Sequence, residues 1–418
     1  MNDRPLTKKE VMDLLKNLKT NDLKTEFINL FDAKHRFLAR PITSSINLPP
    51  FNNSAVDGYA LHDGDVGKNN IFKISSRIAA GDDKKIVLNR GEVARIFTGA
   101  KMPSNSSTVV MQENVEEKDD CIKIIKQSSL GENCRLAGED VTKTEQIFEA
   151  GKKISSQNIS LLAAIGKSSV QVKKKLHVGY FTSGNELLNP SENLSGSKIN
   201  NSNQYALHSL LNKNYLDANY LGVLKDSKEK ILSLLLKQVN NYSVIITTGG
   251  ASVGEEDHLI DIIKEKGELL FWKTAIKPGR PLAVGKIDNT IIICLPGNPV
   301  SVYLLYGMLI KSFLEQLCGS TMVMPNHYCA TVNFSMRKKT ERLEWLRVNI
   351  DKKYKDERKT EIIPISGDLT IEDMIADEDM VLTISHNGYI KRLPVVTWKT
   401  QNRGGKGMKG AKTKQDDY

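Results

Sequence analysis

The sequence predicts a multidomain protein of class α/β plus β, and three observations lead to that class. At 418 residues the chain is too long for one ordinary hydrophobic core. Short alternating apolar runs are concentrated between residues 47 and 126, which is typical of β structure. Between residues 176 and 317 strands alternate with helices, which indicates a parallel sheet covered on both faces. We expect a central doubly wound parallel α/β domain, an all-β insert, a helical and extended N-terminal domain and a small C-terminal β domain.

The N-terminal domain is predicted to begin with a helix. Thr7 can cap it, and Glu10 three residues later completes a capping box. Apolar residues then recur at helical spacing, so the sequence predicts helix over residues 6–37. The expected domains are residues 1–50 with 139–174 as an N-terminal linker and dimer domain, 51–138 as the β insert, 175–324 as the α/β domain and 325–418 as the C-terminal β domain.

The elements of the remaining domains follow in order. Alternating runs in the insert predict strands at 72–74, 93–96, 109–111 and 122–124. A helix is expected at 157–165. The α/β domain is expected to hold strands at 176–181, 219–223, 243–247 and 290–294, with helices at 203–211, 227–239, 257–265 and from 299 to about 317. The C-terminal domain is expected to hold strands at 329–334 and 342–350.

Composition limits the classes of function. The chain has no apolar run near the ~20 residues that a membrane helix needs and no signal-peptide core, so we expect a cytoplasmic protein that does not enter membranes. Five scattered cysteines predict free thiols rather than disulfides or a zinc site. The net charge of +10 is compatible with nucleic acid, a membrane surface or an anionic substrate. Much of the excess lies in the last 30 residues, and such a basic tail is usually only solvated.

The loop from Asn52 to Ala60 is the most informative stretch. Pro49 and Pro50 favour an extended approach to it. Gly58 permits a backbone angle that other residues avoid, so Asp57 can point outward from a sharp bend. A carboxylate held in this way is a candidate metal ligand or acid/base group. By spacing alone, the commoner alternative is a turn whose Asp bonds its own backbone.

Three loops follow strand ends in the α/β domain, where ligands bind in open α/β sheets. Residues 247–254 combine glycines with hydroxyl side chains, which suits an anion-binding nest, although many such loops merely turn. Residues 296–299 form a similar loop, and Pro299 can be the first residue of the next helix. Glu186 lies at the third strand end. Asp257 follows the first loop and can also simply cap a helix.

A third group of candidates is cationic. Lys273, Lys277 and Arg280 flank a Pro/Gly bend, so they are expected to converge on a loop. They are either a solvated charge run or a clamp for an oxyanion or phosphate. Carboxylates beside such cations at neighbouring strand ends would suit a magnesium–phosphate site, because Mg²⁺ favours one or two carboxylates with phosphate oxygens and water.

These motifs resemble those of the molybdopterin molybdenumtransferases, the MoeA family that includes the gephyrin E domain. The resemblance covers about the first 350 residues, and the motifs occur in the family's order. They are Ser54-Ala55-Val56-Asp57-Gly58-Tyr59-Ala60, Arg95-Ile96-Phe97-Thr98-Gly99-Ala100, Thr108-Val109-Val110-Met111-Gln112-Glu113, Gly138-Glu139-Asp140, Thr182-Ser183-Gly184-Asn185-Glu186-Leu187, Thr248-Gly249-Gly250 through Asp257, Phe271-Trp272-Lys273 into Ile276-Lys277-Pro278-Gly279-Arg280-Pro281, and Leu295-Pro296-Gly297-Asn298-Pro299-Val300-Ser301.

The resemblance implies an activity and a site. The family inserts molybdate into adenylated molybdopterin and releases AMP, assisted by Mg²⁺, and it is an elongated homodimer whose site the partner subunit completes. The implied catalytic residues are Asp57, Thr98, Glu186, Asp257, Lys273 and Lys277. The implied metal ligands are Asp57, Glu186, Asp226 and Asp257. The implied substrate-binding residues are Gly249, Gly250, Ser252, Gly254, Pro296, Gly297, Asn298, Pro299, Arg280, Arg135 and Asp140. A molybdopterin adenylyltransferase is a candidate partner.

The C-terminus departs from the family. From about Asp368 the chain resembles the start of the C-terminal DNA-wrapping domain of DNA gyrase, with a glycine-rich box from Gln401 in which Asn402 replaces an Arg. This predicts a fusion, frameshift or sequence join near residue 367; a diverged final β domain is the alternative. Asn387 and Gly388 predict a hairpin that extends the sheet of residues 329–350.

Two other functions remain open on the sequence alone. One is the related molybdopterin adenylyltransferase, which shares the Gly-Gly and Pro-Gly-Asn-Pro loops but lacks the domain of the Asp57 motif. The other is DNA binding through the basic tail, which would weaken steeply as salt rises. We expect the transferase and no nucleic-acid partner, because the transferase motifs span most of the chain.

Overall fold

The computed structural model describes residues 4–20, 22–250, 258–323, 331–332, 343–345, 348–350, 361–364, 380–384 and 390–394. The chain divides into two compact units, Met1–His327 with Lys339–Glu344, and Tyr328–Lys338 with Trp345–Tyr418. Across the part of the chain that is described, no helix is both long and apolar enough to cross a membrane.

The linker part of the first unit differs from the predicted long helix. Its elements are α1 (Lys8–Asn17), β1 (Thr25–Asn29), β2 (Ile42–Thr43) and, after the insert, β11 (Gln146–Phe148), α2 (Ser156–Ala164) and β12 (Ser169–Lys173). The capping box of Thr7 and Glu10 forms as expected. The expectation of helix over 6–37 is wrong beyond Asn17, because β1 pairs antiparallel with β12, a partner far away in sequence that local spacing does not reveal.

The insert is a mixed six-stranded sheet, as its alternating runs predicted. Its strands are β3 (Asn53–Ser54), β4 (Gly58–Leu61), β5 (Ile71–Ile78), β6 (Glu92–Ile96), β7 (Thr108–Met111), β8 (Val115–Lys118), β9 (Cys121–Ile124) and β10 (Cys134–Arg135). The sheet order is β7-β4-β6-β5-β9-β8, and β3 pairs separately with β10. Alternate residues of β4 point into two different apolar clusters, one containing Ala60 and the other Tyr59.

The α/β domain contains the predicted alternation. Its elements are β13 (Leu176–Ser183), β14 (Leu187–Leu188), β15 (Ile199–Asn200), α3 (Ser202–Leu211), β16 (Leu216–Leu224), α4 (Lys228–Gln238), β17 (Val244–Thr248), α5 (His258–Lys266), β18 (Glu268–Trp272), β19 (Ile276–Lys277), β20 (Ala283–Ile287), β21 (Thr290–Leu295), α6 (Pro299–Leu305), a π-helical turn (Tyr306–Ile310) and α7 (Lys311–Leu317). Helix α3 packs against α6, and α4 against α5.

The central sheet has the order β16-β13-β17-β21-β20-β18. Its first four strands are parallel, as expected for a doubly wound domain. The last two strands were not predicted. Strand β20 runs antiparallel to both of its neighbours, β21 and β18, so the sheet is mixed. The chain steps from β13 to one side for β16 and then to the other side for β17. The order therefore reverses between β13 and β17, which is where such sheets bind ligands.

The remaining strands are short. They are β22 (Thr331–Val332), β23 (Leu343–Glu344), β24 (Val348–Ile350), β25 (Glu361–Pro364), β26 (Met380–Ile384) and β27 (Ile390–Pro394). Strands β22, β25 and β24 form one sheet, while β23 pairs with β19. Strands β26 and β27 pair antiparallel, but as a separate two-stranded sheet rather than as the predicted extension of the other. The predicted turn residues Asn387 and Gly388 lie outside the described residues.

Candidate functional site

Asp57 and Thr98 meet at the end of the insert sheet. Gly58 of β4 stands opposite Ile96 of β6, so the residues just beyond the paired ends approach one another. The Asp57 carboxylate oxygen Oδ1 accepts hydrogen bonds from the Thr98 backbone amide and hydroxyl, each at 2.7 Å. These bonds hold the pKa of Asp57 below its usual range. The carboxylate is therefore tied to a distant loop, and the alternative of an Asp that bonds its own turn does not apply.

Gly58 is needed for a reason other than the expected backbone angle. Its φ lies outside the left-handed region. A Cβ at this position would lie 2.1 Å from the Val110 carbonyl oxygen, because β4 and β7 approach closely there. The glycine thus permits the strand contact that places Asp57.

Arg135 and Asp140 lie beside the same loop. Arg135 stands opposite Asn53 where β10 pairs with β3. Its guanidinium donates to Asp140 Oδ1 at 2.6 Å and lies 3.3 Å from Glu139 Oε1. The Ala137 amide donates to the Asn52 side chain at 2.8 Å. We call Asp57, Thr98, Arg135 and Asp140 the insert cluster.

Four loops leave one edge of the central sheet, and we call this edge the strand-end site. Because β16, β13, β17 and β21 are parallel, the residues that follow them lie side by side in that order. These residues are Asp226, then Glu186, then Gly249 with Gly250, and then Pro296, Gly297 and Asn298. The sequence-predicted residues of these loops are therefore brought together.

Close backbone contacts join the loops at the reversal point. Gly249 and Gly250 have φ of 85° and 70°, a region that favours glycine. A Cβ on Gly249 would lie 2.6 Å from the Ser183 carbonyl oxygen. Gly297 lies against Gly249, with 3.7 Å between the position for its Cβ and the Gly249 Cα. Larger residues would push these loops apart and open the crevice.

Carboxylates stand on two neighbouring loops of this site, those that follow β16 and β13. The Asn185 amide donates to Asp226 at 3.2 Å, and the Asp226 amide donates to the Asn185 side chain at 3.3 Å. This reciprocal pair ties the β13 loop to the β16 loop. Glu186 is exposed and folds back over Gly184. Among the described residues, no group of three His, Cys, Asp or Glu side chains could hold a metal ion.

Asn298 and Pro299 start α6 as predicted. The Asn298 side chain accepts from the Val300 amide at 2.9 Å, and Pro299 occupies the first turn. Asn203 of α3 donates to the Gly297 carbonyl at 2.7 Å. Sequence reasoning missed Asn203, since a polar residue at a helix start signals capping rather than contact with a loop 94 residues away.

The three predicted cations lie on one segment, residues 273–280, which we call the cation loop. Its backbone is held by Leu6, whose amide donates to the Lys273 carbonyl at 3.1 Å and whose carbonyl accepts from the Ala275 amide at 2.7 Å. A Cβ on Gly279 would lie 2.9 Å from Leu305 of α6. The loop thus packs against the helix that begins at the strand-end site.

The cations have different surroundings. The Lys273 ammonium lies 4.0 Å from the centroid of the Trp272 ring, a cation–π contact. Lys277 is exposed and forms an ion pair with Glu344, with 3.2 Å between Nζ and Oε1. Arg280 is exposed. Glu344 was not predicted, because it lies far along the chain and in no recognised motif. Three predicted residues, Ser252, Gly254 and Asp257, lie outside the described residues.

Comparison with known proteins gives matches over both halves of the first unit. Residues 6–166 match the family profile of the MoeA N-terminal region (domains I and II), and residues 179–316 match that of a probable molybdopterin binding domain. Residues 379–418 match the DNA gyrase C-terminal β-propeller profile, in line with the predicted tail.

Relatives that match over most of the chain carry the name of the same family. The chain is 33% identical over 325 residues to the molybdopterin molybdenumtransferase of Haemophilus influenzae, covering 77% of this chain and 80% of the relative. It is 32% identical over 304 residues to that of a Nostoc species, covering 71% and 70%. The structure of the MoeA protein of Pyrococcus horikoshii superposes with a TM-score of 0.71 at 26% identity, covering 94% of this chain and 96% of that one.

Proposed function

Because the chain belongs to the molybdopterin molybdenumtransferase family, we propose that it inserts molybdate into adenylated molybdopterin with release of AMP and with the assistance of Mg²⁺. As a member of this family it acts in molybdenum cofactor biosynthesis. One observation supports the proposed chemistry most strongly: four loops converge at the edge of the parallel strands, beside the cation loop. Both substrates are anions, so the site must supply positive charge where they meet.

We propose that the glycine loops bind adenylated molybdopterin. Gly249 and Gly250 let the loop after β17 approach Ser183 closely at one side of the crevice, and Gly297 with Asn298 forms its other wall. Lys273, Lys277 and Arg280 of the cation loop are assigned to the oxyanions of molybdate and phosphate. Ser252, Gly254 and Asp257, which continue the loop after Gly250, are assigned to the same crevice on the strength of the family motif.

The carboxylates fit Mg²⁺. Glu186 and Asp226 provide oxygen ligands on adjoining loops, and Mg²⁺ favours one or two carboxylates with substrate phosphates and water. Asp257 is a third proposed ligand by resemblance. When bound, the ion would neutralise phosphate charge as the adenylate leaves. The chain's own part is to hold these carboxylates in place through the Asn185–Asp226 pair.

The insert cluster belongs to another domain, and we propose that a second copy of the chain brings it to the strand-end site. Asp57 keeps one carboxylate oxygen, Oδ2, beyond the two bonds that Thr98 makes to Oδ1. It is proposed to handle molybdate or Mg²⁺ across a homodimer interface, with Arg135 and Asp140 beside it. A cytoplasmic location and an adenylyltransferase partner complete the proposal.

The test is molybdate-dependent AMP release from adenylated molybdopterin by the purified chain, with Asp57→Asn as the variant. Asp63 provides a matched control, because its Oδ1 also accepts from a backbone amide and a hydroxyl, those of Ser107, each at 2.7 Å. We expect Asp57→Asn to lose most turnover and Asp63→Asn to keep it. Equal activities of the two variants would contradict the assignment of Asp57. A wild-type chain that releases no AMP in response to molybdate would contradict the function itself.

A further inference from the structure

The ion pair of Lys277 and Glu344 joins the cation loop to a strand from a distant part of the sequence. Strand β23 pairs with β19 so that Glu344 stands opposite Lys277. The Leu343 amide donates to the Ala275 carbonyl at 2.8 Å, which fixes the register. The pair is therefore set by backbone pairing and not by a chance meeting of two surface side chains.

The two partners differ in exposure. The Lys277 side chain is 60% exposed, whereas the Glu344 side chain is 11% exposed. A mostly buried carboxylate thus holds the end of a long exposed side chain. An ammonium has three donors, and Glu344 accepts from one at 3.2 Å. Two donors can still meet an anion from the solvent side.

We propose that Glu344 is a positioning residue for oxyanion binding by Lys277, an inference that rests on the proposed function. A free lysine side chain loses rotamer entropy when it binds a ligand. With Glu344 in place, much of that entropy is already lost on folding, so the ammonium meets molybdate in a fixed position. The negative charge of Glu344 also repels the oxyanion and so opposes its binding. At a side chain as exposed as Lys277 that repulsion is screened by water and salt, so we expect positioning to be the larger effect.

The test is a double-mutant cycle on the dissociation constant of molybdate, measured by calorimetry on the full chain. Binding needs no turnover, so the result is separate from the function assay. We expect Glu344→Ala to weaken binding about fivefold. Glu344→Gln retains an oxygen for the ammonium and should stay within about twofold of wild type. In the Lys277→Ala background, Glu344→Ala should have no further effect.

A control and a second variant complete the test. Glu265 of α5 forms an ion pair with Lys228 of α4, and neither residue belongs to the cation loop. Glu265→Ala should therefore leave the dissociation constant of molybdate unchanged. If Glu344→Ala fails to fold, Glu344→Asp takes its place in the test. The Asp side chain keeps the negative charge but is shorter by one methylene. Its loss of molybdate affinity should therefore lie between those of the Gln and Ala variants.

Three results would overturn the proposal: unchanged or tighter binding in Glu344→Ala, the same loss with Lys277 already removed, or no detectable molybdate binding by the wild-type chain. A wild-type chain that binds molybdate but releases no AMP would instead contradict the proposed function and leave the result on Glu344 standing.

Discussion

Single residues in this protein are placed by partners far along the chain. Asp57 takes its position from Thr98, and Lys277 takes its position from Glu344. In both cases strand pairing sets the register, and a side-chain contact follows just beyond or within the paired residues. The family motifs contain both Asp57 and Thr98, but only Lys277 of the second pair. For that pair the structure adds the partner, Glu344.

Gly58 gives a prediction at this scale. A Cβ there would lie 2.1 Å from a backbone oxygen of β7, which cannot move away as a side chain can. We expect Gly58→Ala to lower the free energy of unfolding by about 1–3 kcal/mol, as overpacking does, and to displace Asp57. Chemical denaturation measures the first effect and AMP release the second.

Gly307 supplies the control for that substitution. It lies in the π-helical turn, where a Cβ would meet nothing within 4 Å. Gly307→Ala should be neutral or slightly stabilising, because alanine has less conformational freedom in the unfolded chain. Similar losses of unfolding free energy in both variants would mean that the contact with Val110 is not the cause of the destabilisation in Gly58→Ala.

At the scale of elements, α1 depends on its first turn. The Thr7 hydroxyl accepts from the Glu10 amide, while the Glu10 carboxylate accepts from Thr7 and pairs with Arg4. These contacts lower the pKa of Glu10 to about 2. The segment that leads into α1 is the one that holds the cation loop through Leu6. The capped turn is therefore continuous with the segment that pairs with the cation loop.

The Glu10 carboxylate predicts a pH dependence of stability. Its pKa is lower in the folded than in the unfolded chain, so its contribution to stability is complete above the unfolded pKa of about 4.5 and is lost as pH falls toward about 2. Glu10→Gln cannot titrate, so the melting temperature of that variant should fall less steeply across this range, starting from a lower value at neutral pH. Parallel melting curves for variant and wild type would show that the cap does not contribute.

The elements also show what sequence reasoning can reach. The predicted helices and strands of the α/β domain were confirmed to within three residues at each end. The central strands could be found because they are continuous apolar runs between helices. Strands β18 and β20 were missed because an antiparallel edge has no marker within a βα pattern. The segment after Asn17 was wrongly predicted as helix, because β1 forms only against β12. The Lys277–Glu344 pair depends in the same way on a distant strand.

At the scale of the whole molecule, the proposed active site draws on two domains. The insert cluster and the strand-end site belong to separate sheets, and the proposal is that a second copy joins them. Homo-oligomers with two-fold symmetry are the commonest arrangement and would give two such joint sites.

Mixing two inactive variants tests that arrangement. Asp57→Asn damages the insert cluster, and Glu186→Gln damages the strand-end site. If one copy supplies each part, hybrid dimers contain one intact site, and an equal mixture after subunit exchange should recover about a quarter of wild-type AMP release. No recovery, although light scattering shows a dimer, would mean that each chain completes its own site.

The C-terminal tail from about residue 368 gives a second prediction for the whole molecule. Residues 379–418 match the gyrase profile rather than the transferase profiles. We expect truncation after Gly367 to leave both the melting temperature and AMP release close to those of the full chain. A large loss of both would show that the tail is an integral part of the final domain, and the fusion interpretation would then be wrong. DNA binding that falls steeply with salt and disappears on truncation would assign the tail a separate role.

The backbone pairing of Leu6 with the cation loop makes the start of the chain a reporter. The Leu6 amide and the Ala275 amide share one small ladder, so they must open together to exchange with solvent. An oxyanion that stiffens the loop will slow deuterium uptake at Leu6, although no ligand touches it. Occupancy of the site can therefore be measured as deuterium uptake in the peptide that contains Leu6, without any label on the site itself.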